Sequence, residues 1–433
     1  MRIFLQTLGC KLNFSETSCL AQALREAGHQ TVNRGDQADV CILNTCSVTD
    51  VADQKGRQAI RRLHREHPDA MLIVTGCYAQ LQPDRIAALP GVNFVVGSNE
   101  KQRILELISR DNNSSPIQEQ MAEGQKGPEL YTDLSSPASR LSPAGRAFHP
   151  AYSREDRTRC FLKVQDGCDY FCTYCTIPMA RGTSRNAPVA DTVALAQRAI
   201  DEGAKEIVLT GVNIGDFGKS TGETFLDLLR ALDDVRGEVR YRISSCEPNL
   251  LSDDIIDFVA QSRHFAPHFH IPLQSGSNEV LQIMHRRYTR ELFAERVERI
   301  HSRMPNAFIG VDCMVGVRGE TPEMFRDYVR FLESLEVSQL HVFPYSERMG
   351  TRMVEMDLPR VPKDEQHRRV DVLLRLSEEK LRAFYLKHRG TQATVLWEGA
   401  CKGRQMAGWT ENYIRVTAPY NEQKINTFET LWI

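Results

Sequence analysis

From Thr158 onward the chain alternates short β-rich runs with stretches of helical periodicity, and no other feature narrows its fold so far. The strand runs are CFLKVQ, EIVLTG, VRYRISS, HFHIPL, FIGVDCMV and QLHVFPY. Between them lie DTVALAQRAIDEG, ETFLDLLRALDD, LSDDIIDFVAQ, TRELFAERVERIHSR and TPEMFRDYVRFLESL. Strands separated by helices predict parallel pairing, so residues 158–375 read as a parallel barrel-like layer, open or closed. The six strands are fewer than a full eight-stranded barrel needs.

The same rhythm runs through residues 1–110, in RIFLQT, ETSCLAQALREAGH, ADVCILN, ADQKGRQAIRRLHREH, MLIVTG, VNFVVGS and EKQRILELISR. It predicts an open parallel α/β domain. Residues 111–157 are rich in Ser, Pro, Gly and Asn and read as a linker. In residues 376–433, beyond the start of a basic-flecked helix, TQATVLWEG, RQMAGWTENYIRVTAP and ETLWI predict a small antiparallel all-β barrel, an appended binding module.

No apolar run approaches the roughly 18 residues of a membrane span. The N-terminus lacks a secretory h-region, which predicts a cytoplasmic protein whose twelve cysteines are thiols or metal ligands. Net charge is only -2, so an anionic partner such as RNA must meet a local basic face.

The stretch DGCDYFCTYCTIPMARG sets Cys168, Cys172 and Cys175 as C-x3-C-x2-C just past the first strand of the barrel-like layer. Closely spaced thiolates hold soft metals or iron–sulfur clusters, whereas zinc ordinarily takes four ligands. Three ligands leave one corner of a four-iron cluster open, at the strand end where barrel sites are built. An incomplete zinc knuckle and unrelated reduced thiols are the plain alternatives. TLGCKLN, NTCSVTD and VTGCYAQ place Cys10, Cys46 and Cys77 after three different strands, along one rim of an open sheet. The alternative there is three unrelated loop thiols. Cys19, Cys41, Cys160, Cys246, Cys313 and Cys401 read as small apolar core residues.

The C-x3-C-x-aromatic-C motif after the first strand resembles the radical S-adenosylmethionine superfamily, whose core is a partial (β/α)6 barrel. The resemblance implies a 4Fe-4S cluster on Cys168, Cys172 and Cys175. Its fourth iron would bind the amino and carboxylate groups of S-adenosylmethionine, and an electron from it would cleave that cofactor to methionine and a 5′-deoxyadenosyl radical. With the N-terminal trio and the β tail included, the whole chain resembles the methylthiotransferase family of that superfamily. This implies a flavodoxin-like N-terminal domain, a second 4Fe-4S cluster on Cys10, Cys46 and Cys77 that carries or relays sulfur, and a TRAM-like RNA-binding tail.

Three branches of that family act on isopentenyladenosine in tRNA, on threonylcarbamoyladenosine in tRNA, or on an aspartate of a ribosomal protein. TLGCKLNFSET, FLKVQDGC, HVFPYSERMGT and the ADQKGRQAIRR helix look most like the threonylcarbamoyladenosine branch. The other branches more often carry glutamate where Asp166 stands. The implied partners are the tRNA anticodon stem-loop bearing that nucleoside, an electron donor and a sulfur donor, with no membrane. Two departures stand out: the family's GFPGET reads GVRGET, with Val317 and Arg318, and its proline after YS is Glu347. A rival of another class is a non-enzymatic, metal-stabilised RNA-binding protein.

By the same resemblance Thr210, Gly211 and Asn213 hold the amino group of S-adenosylmethionine, although an ordinary βα turn accounts for any one of them. Ser244 and Ser245 end the third strand and Gln274 and Ser275 follow the fourth, where their polar groups face the same mouth. Arg286 offers a fork suited to a carboxylate. Tyr174 packs beside adenine or cluster, or simply fills the core. For RNA, Arg57, Arg61, Arg62 and Arg65 recur at helical spacing and Arg368 and Arg369 precede the tail. A solvated charged face is the alternative. In the tail Trp397, Trp409, Tyr413 and Arg415 divide between stacking on unpaired bases and filling the small core.

Overall fold

The computed structural model describes residues 1–111, 129–131, 147–153 and 158–433; the rest of the expected linker, and the Cys401 side chain, lie outside the described residues. The chain forms two compact units, one comprising Met1–Ser153, Gly167–Asp169 and Cys175–Thr183, the other the remainder.

In the first unit, strands β1 (Arg2–Thr7), β2 (Gln30–Val32), β3 (Val40–Thr45), β4 (Met71–Gly76), β5 (Val92–Val96) and β6 (Glu129–Tyr131) pair in parallel in the order β2-β1-β3-β4-β5-β6. The first five follow the flavodoxin-like order. Every residue of β3 and β4 is buried, as a parallel strand covered on both faces requires. The helix Asp50–Glu66 packs Ala59, Ile60 and Leu63 against Phe4, Leu43 and Val74 on one face. On the other, Leu24, Ile104, Leu107 and Ile108 meet Ile3, Ile42 and Ile73. Short β7 (Ala151–Tyr152) lies against the helix Lys11–Glu26. Strand β6 arises inside the stretch read as linker.

In the second unit, β8 (Arg159–Lys163), β9 (Glu206–Thr210) and β10 (Arg240–Ile243) pair in parallel. So do β11 (His268–Gln274), β12 (Phe308–Val315) and β13 (Gln339–Pro344). A parallel bridge between Ser245 and His270 joins the two sets. These are the six expected strands, in chain order, as a partial (β/α)6 barrel. Five of the intervening helices start on Thr224, Ser252, Ser277, Thr289 and Thr321, whose hydroxyls accept a backbone N–H three residues on.

The helix Lys363–Lys387 crosses the expected 375/376 boundary, and an antiparallel sheet of β14 (Gln392–Lys402), β15 (Gln405–Trp409), β16 (Arg415–Pro419) and β17 (Phe428–Trp432) follows it. This tail is held at the N-terminal ends of the barrel strands. Arg240 donates to the carbonyls of Thr394 and Trp409, each at 3.0 Å, and Arg242 to those of Thr410 and Glu411, each at 2.7 Å. Arg159 donates to the Tyr413 hydroxyl at 3.1 Å and pairs with Glu398 at 3.0 Å. Trp397 is buried in the tail, and Tyr413 stacks on Trp409 at 4.5 Å. Those three rings are therefore spent on packing and docking, leaving Arg415 with the exposed Tyr420 and Trp432 on the surface. Among the described residues no helix is long and apolar enough to cross a membrane.

Candidate active site

In the first unit the ends of β1, β3 and β4 stand side by side, and each is followed within three residues by a cysteine. Cys10 caps the helix Lys11–Glu26, Cys46 follows β3, and Cys77 opens the short helix Cys77–Leu81. Gly9 has φ 121°, and a Cβ there would lie 2.7 Å from the Cβ of Cys46. Gly76, with φ 98°, lies against the Thr45 backbone in the same way. Glycine thus lets both neighbouring turns close onto the end of β3, at Cys46 and at Thr45. Asn13 ties them together, its side-chain N–H donating to Leu8 O and Thr45 O, both at 3.1 Å.

Burial and the proximity of Cys77 and Cys10 push the Cys46 thiol up to about 12. Desolvation also raises Cys10, although Cys10 is exposed as a residue, and the Arg181 guanidinium opposes the rise. Arg181, six residues beyond Cys175, is buried, donates to Asn13 Oδ1 at 2.6 Å and pairs with Glu16 at 3.0 Å. As free thiols these groups gain nothing from crowding. As thiolates bound to a cationic cluster they do, so the donor set fits a soft-metal centre. Among the described residues no three His, Cys, Asp or Glu side chains are set to hold a single ion. A polynuclear cluster spreads its thiolates over several metal atoms and asks for no such convergence.

The C-x3-C-x2-C loop lies between β8 and the short helix Ile177–Arg181. In the first unit Cys168 N–H donates to Gly182 O at 3.0 Å, and Cys175 Sγ accepts from Ile177 N–H at 3.4 Å. In the second unit Cys172 is buried and accepts from Arg286 Nη1 at 3.2 Å. Arg286 also reaches the hydroxyls of Tyr174 at 3.4 Å and Tyr288 at 3.1 Å, and pairs with Glu247. Burial raises the Cys172 thiol and the Glu247 carboxyl, and the one guanidinium opposes both. Phe171, Gln274 and His285 adopt left-handed φ of 49°, 64° and 59°. Such strain costs on the order of 1 kcal/mol per non-glycine residue and collects where a site must be shaped.

The comparisons agree with this geometry. Residues 2–97 match the family described as Uncharacterized protein family UPF0004, and residues 162–332 match the Radical SAM superfamily. The threonylcarbamoyladenosine tRNA methylthiotransferase MtaB of Bacillus subtilis (strain 168) is 37% identical over 97% of this chain and 90% of that protein. Its counterpart in Aquifex aeolicus (strain VF5) is 34% identical over 96% of each. The chain belongs to the radical S-adenosylmethionine methylthiotransferase family. Among solved structures, the radical S-adenosylmethionine methyltransferase TsrM from Kitasatospora setae superposes with a TM-score of 0.56 at 15% identity, over 79% of this chain and 72% of that one, a likeness of fold.

Methylthiotransferase membership gives meaning to where the expected cofactor residues lie. Thr210 spends its hydroxyl on Leu162 O at 3.0 Å. At Gly211 an added Cβ would stand 2.9 Å from Gln165 Oε1, which also accepts the N–H groups of Val212 and Asn213 at 2.9 Å. Gln165 of FLKVQDGC therefore shapes the turn after β9. Asn213 keeps a buried Oδ1 without a hydrogen bond, and the buried Ser244 makes no side-chain hydrogen bond among the described residues. Ser275 accepts from Ser277 N–H at 3.2 Å. Tyr174 packs against Val280, Met284, Val317, Tyr345 and Met353. Arg286, expected to clamp a ligand carboxylate, is already paired with the protein's own Glu247.

Sequence reasoning missed Arg181 and a polar chain within the barrel. The Ser245 hydroxyl meets His270 Nδ1 at 2.7 Å, and His270 Nε2 meets Asp312 Oδ1 at 3.0 Å. Such a chain fixes one orientation of the imidazole. Its members come from just past the end of β10, from β11 and from β12, and no local spacing announces them.

Of the basic residues expected to meet RNA, Arg57 donates to the Tyr78 hydroxyl at 3.0 Å and Arg62 to Gln6 at 2.6 Å, while Arg61 and Arg65 are exposed. Arg369 is buried against Glu320 at 2.6 Å, and Arg368 pairs with Glu365 at 2.7 Å. That pair holds the barrel's last helix instead.

The two departures from the family pattern meet each other. Arg318, nearly buried, pairs with Glu347 at 2.6 Å, and Val317 is enclosed with Tyr174. Arg318→Ala and Glu347→Ala are each expected to cost about 1–2 kcal/mol in urea denaturation, the pair being half-way between exposed and buried. The double variant should lose less than the two single losses added together, by about 1 kcal/mol. Strict additivity would mean that the two changes are unrelated.

Proposed function

We propose that this enzyme converts N6-threonylcarbamoyladenosine beside the anticodon of tRNA into its 2-methylthio derivative, acting in the cytoplasm with an electron donor and a sulfur donor. The supporting observation is the end-to-end likeness to the methylthiotransferases of Bacillus subtilis and Aquifex aeolicus, together with two separate cysteine trios. Cys168, Cys172 and Cys175 would hold one 4Fe-4S cluster, the one that also binds S-adenosylmethionine, and Cys10, Cys46 and Cys77 would hold the other. When bound, the first cluster supplies the electron that cleaves S-adenosylmethionine, radical chemistry being adequate for an unactivated C–H bond.

The chain's own part is positional and electrostatic. Arg286, braced by Glu247 and Tyr288, favours the thiolate form of Cys172. Arg181 does the same for Cys10, while Asn13, Gly9 and Gly76 keep the N-terminal thiols together. Asn213 Oδ1 and the Ser244 hydroxyl offer acceptors for a cofactor ammonium. His270 is held in one orientation between Ser245 and Asp312.

The test is anaerobically reconstituted enzyme, an anticodon stem-loop bearing the threonylcarbamoyl group, and mass spectrometry of the nucleosides. A methylthio adduct on that nucleoside is expected. Its absence, with an adduct on isopentenyladenosine RNA or on a ribosomal-protein aspartate instead, would reassign the substrate. Stoichiometric zinc without iron or sulfide would make the chain a metal-stabilised binder.

A further inference from the structure

Within the first unit, the helix Asp50–Glu66 and the end of β1 enclose a groove of about 500 Å³, lined in part by Gln6, Leu8, Lys55, Arg61, Arg62 and Arg65. Among the described residues Lys55, Arg61 and Arg65 make no ion pair or hydrogen bond. Arg62 donates to Gln6, but its buried Nε has no hydrogen-bond partner, and its ion pair with Glu66 is stretched to 3.8 Å. Four cations thus share one cleft in a chain whose net charge is -2. Arg61 and Arg65, at i and i+4, repel each other on the helix surface. The repulsion is small in water, and an anion bound across the pair would remove it.

The location narrows the anion. Leu8 lies two residues before Cys10, and Arg57 of the same helix donates to the hydroxyl of Tyr78, the neighbour of Cys77. The groove therefore adjoins the cysteine rim. Lys55 to Arg65 spans about 15 Å of helix, room for several successive phosphates of one strand. Guanidinium forks suit phosphate oxygens. A docked acidic protein asks for roughly 800 Å² on each partner, a broad face rather than a cleft along one helix.

We propose that this groove binds the phosphate backbone of the RNA substrate, with Lys55, Arg61 and Arg65 as phosphate contacts. The assignment rests on the tRNA reading above and gives the N-terminal unit an RNA contact of its own, independent of the tail. It orients the strand so that a nucleotide reaches the cysteine rim, and it carries no base specificity.

The test is fluorescence anisotropy with labelled tRNA on the full-length, cluster-loaded protein across a salt series, comparing wild type, Arg61→Ala/Arg65→Ala and Arg61→Lys/Arg65→Lys. Thermal melting verifies that each variant is folded. Loss of two phosphate contacts is expected to lower the slope of log affinity against log salt by about 1.5–2 and to weaken binding about tenfold or more near 0.1 M salt. The loss should be equal for tRNA with and without the threonylcarbamoyl group, and the lysine variant should keep most of the affinity. Unchanged affinity and slope in the alanine variant, with wild type binding tightly, overturn the groove alone. Failure of wild type to bind tRNA overturns both the groove and the tRNA reading. If the alanine variant binds tRNA normally yet accepts electrons poorly from an acidic protein reductant and normally from dithionite, the groove docks that protein and the proposal is wrong.

Discussion

Cys46→Ala protein is expected to cleave S-adenosylmethionine at nearly the wild-type rate while forming no methylthiolated nucleoside at all. On the reading above the two trios would hold different clusters, and only the one on Cys168, Cys172 and Cys175 would bind S-adenosylmethionine. Cys46 follows β3 in the N-terminal sheet, where burial, and after it the proximity of Cys77 and Cys10, raises its thiol. Cys172 belongs to another loop, where burial raises its thiol and Arg286 opposes the rise. Cys172→Ala should abolish both cleavage and methylthiolation. Each substitution should remove roughly half of the iron and sulfide, because one cluster of two loses a ligand. Two readouts are needed, 5′-deoxyadenosine and modified nucleoside, each by chromatography after anaerobic incubation with dithionite. Methylthiolation by Cys46→Ala protein would mean that the N-terminal thiols hold nothing the reaction needs.

Much of this architecture is legible in the residues themselves, and the failures share a cause. Strands β8 to β13 declare themselves because each is a β-rich run of four to eight residues bounded by helical periodicity. Strands β2 and β6 contain three residues each, QTV and ELY, too few for any period to register. Their pairing is imposed by the edges of a sheet already formed. The glycine–cysteine pairs at Gly9–Cys10 and Gly76–Cys77 were legible as loop thiols on one rim. That both glycines lie against the end of β3 was not, because it depends on which strands are neighbours. Arg181 and the Ser245–His270–Asp312 chain are long-range in the same sense. The tail aromatics misdirect for a different reason: a ring that docks one element on another has the same composition as a ring that awaits a base. Only burial separates Trp397 from Trp432, the latter 69% exposed.

Glu206→Gln is expected to be the most destabilising single change in the second unit. Glu206 opens β9, is fully buried, and meets Arg240 at 2.7 Å and Arg242 at 3.0 Å. Burial pushes Arg240 down to about 10, so it still carries its charge at neutral pH. Removing the carboxylate leaves two buried guanidinium groups facing each other, a loss of about 3–5 kcal/mol. Burial alone would raise the Glu206 carboxyl, but Arg242 and Arg240 outweigh it and bring it from the ordinary 4.5 down to about 2. A carboxyl lowered on folding contributes stability that is whole above its unfolded value and lost as pH falls towards the folded one. The difference between wild type and Glu206→Gln in urea denaturation should therefore be steady above about pH 5 and shrink as pH falls from 4.5 towards 2, by on the order of 3 kcal/mol. The damage should spread to the tail, because the same two arginines donate to Thr394, Trp409, Thr410 and Glu411 carbonyls. Amide hydrogen exchange across residues 394–413 should quicken in the variant even where the barrel remains folded. A Glu206→Gln protein as stable as wild type at neutral pH, with the same acid dependence, would show that the arginines are neutralised by something other than this carboxylate.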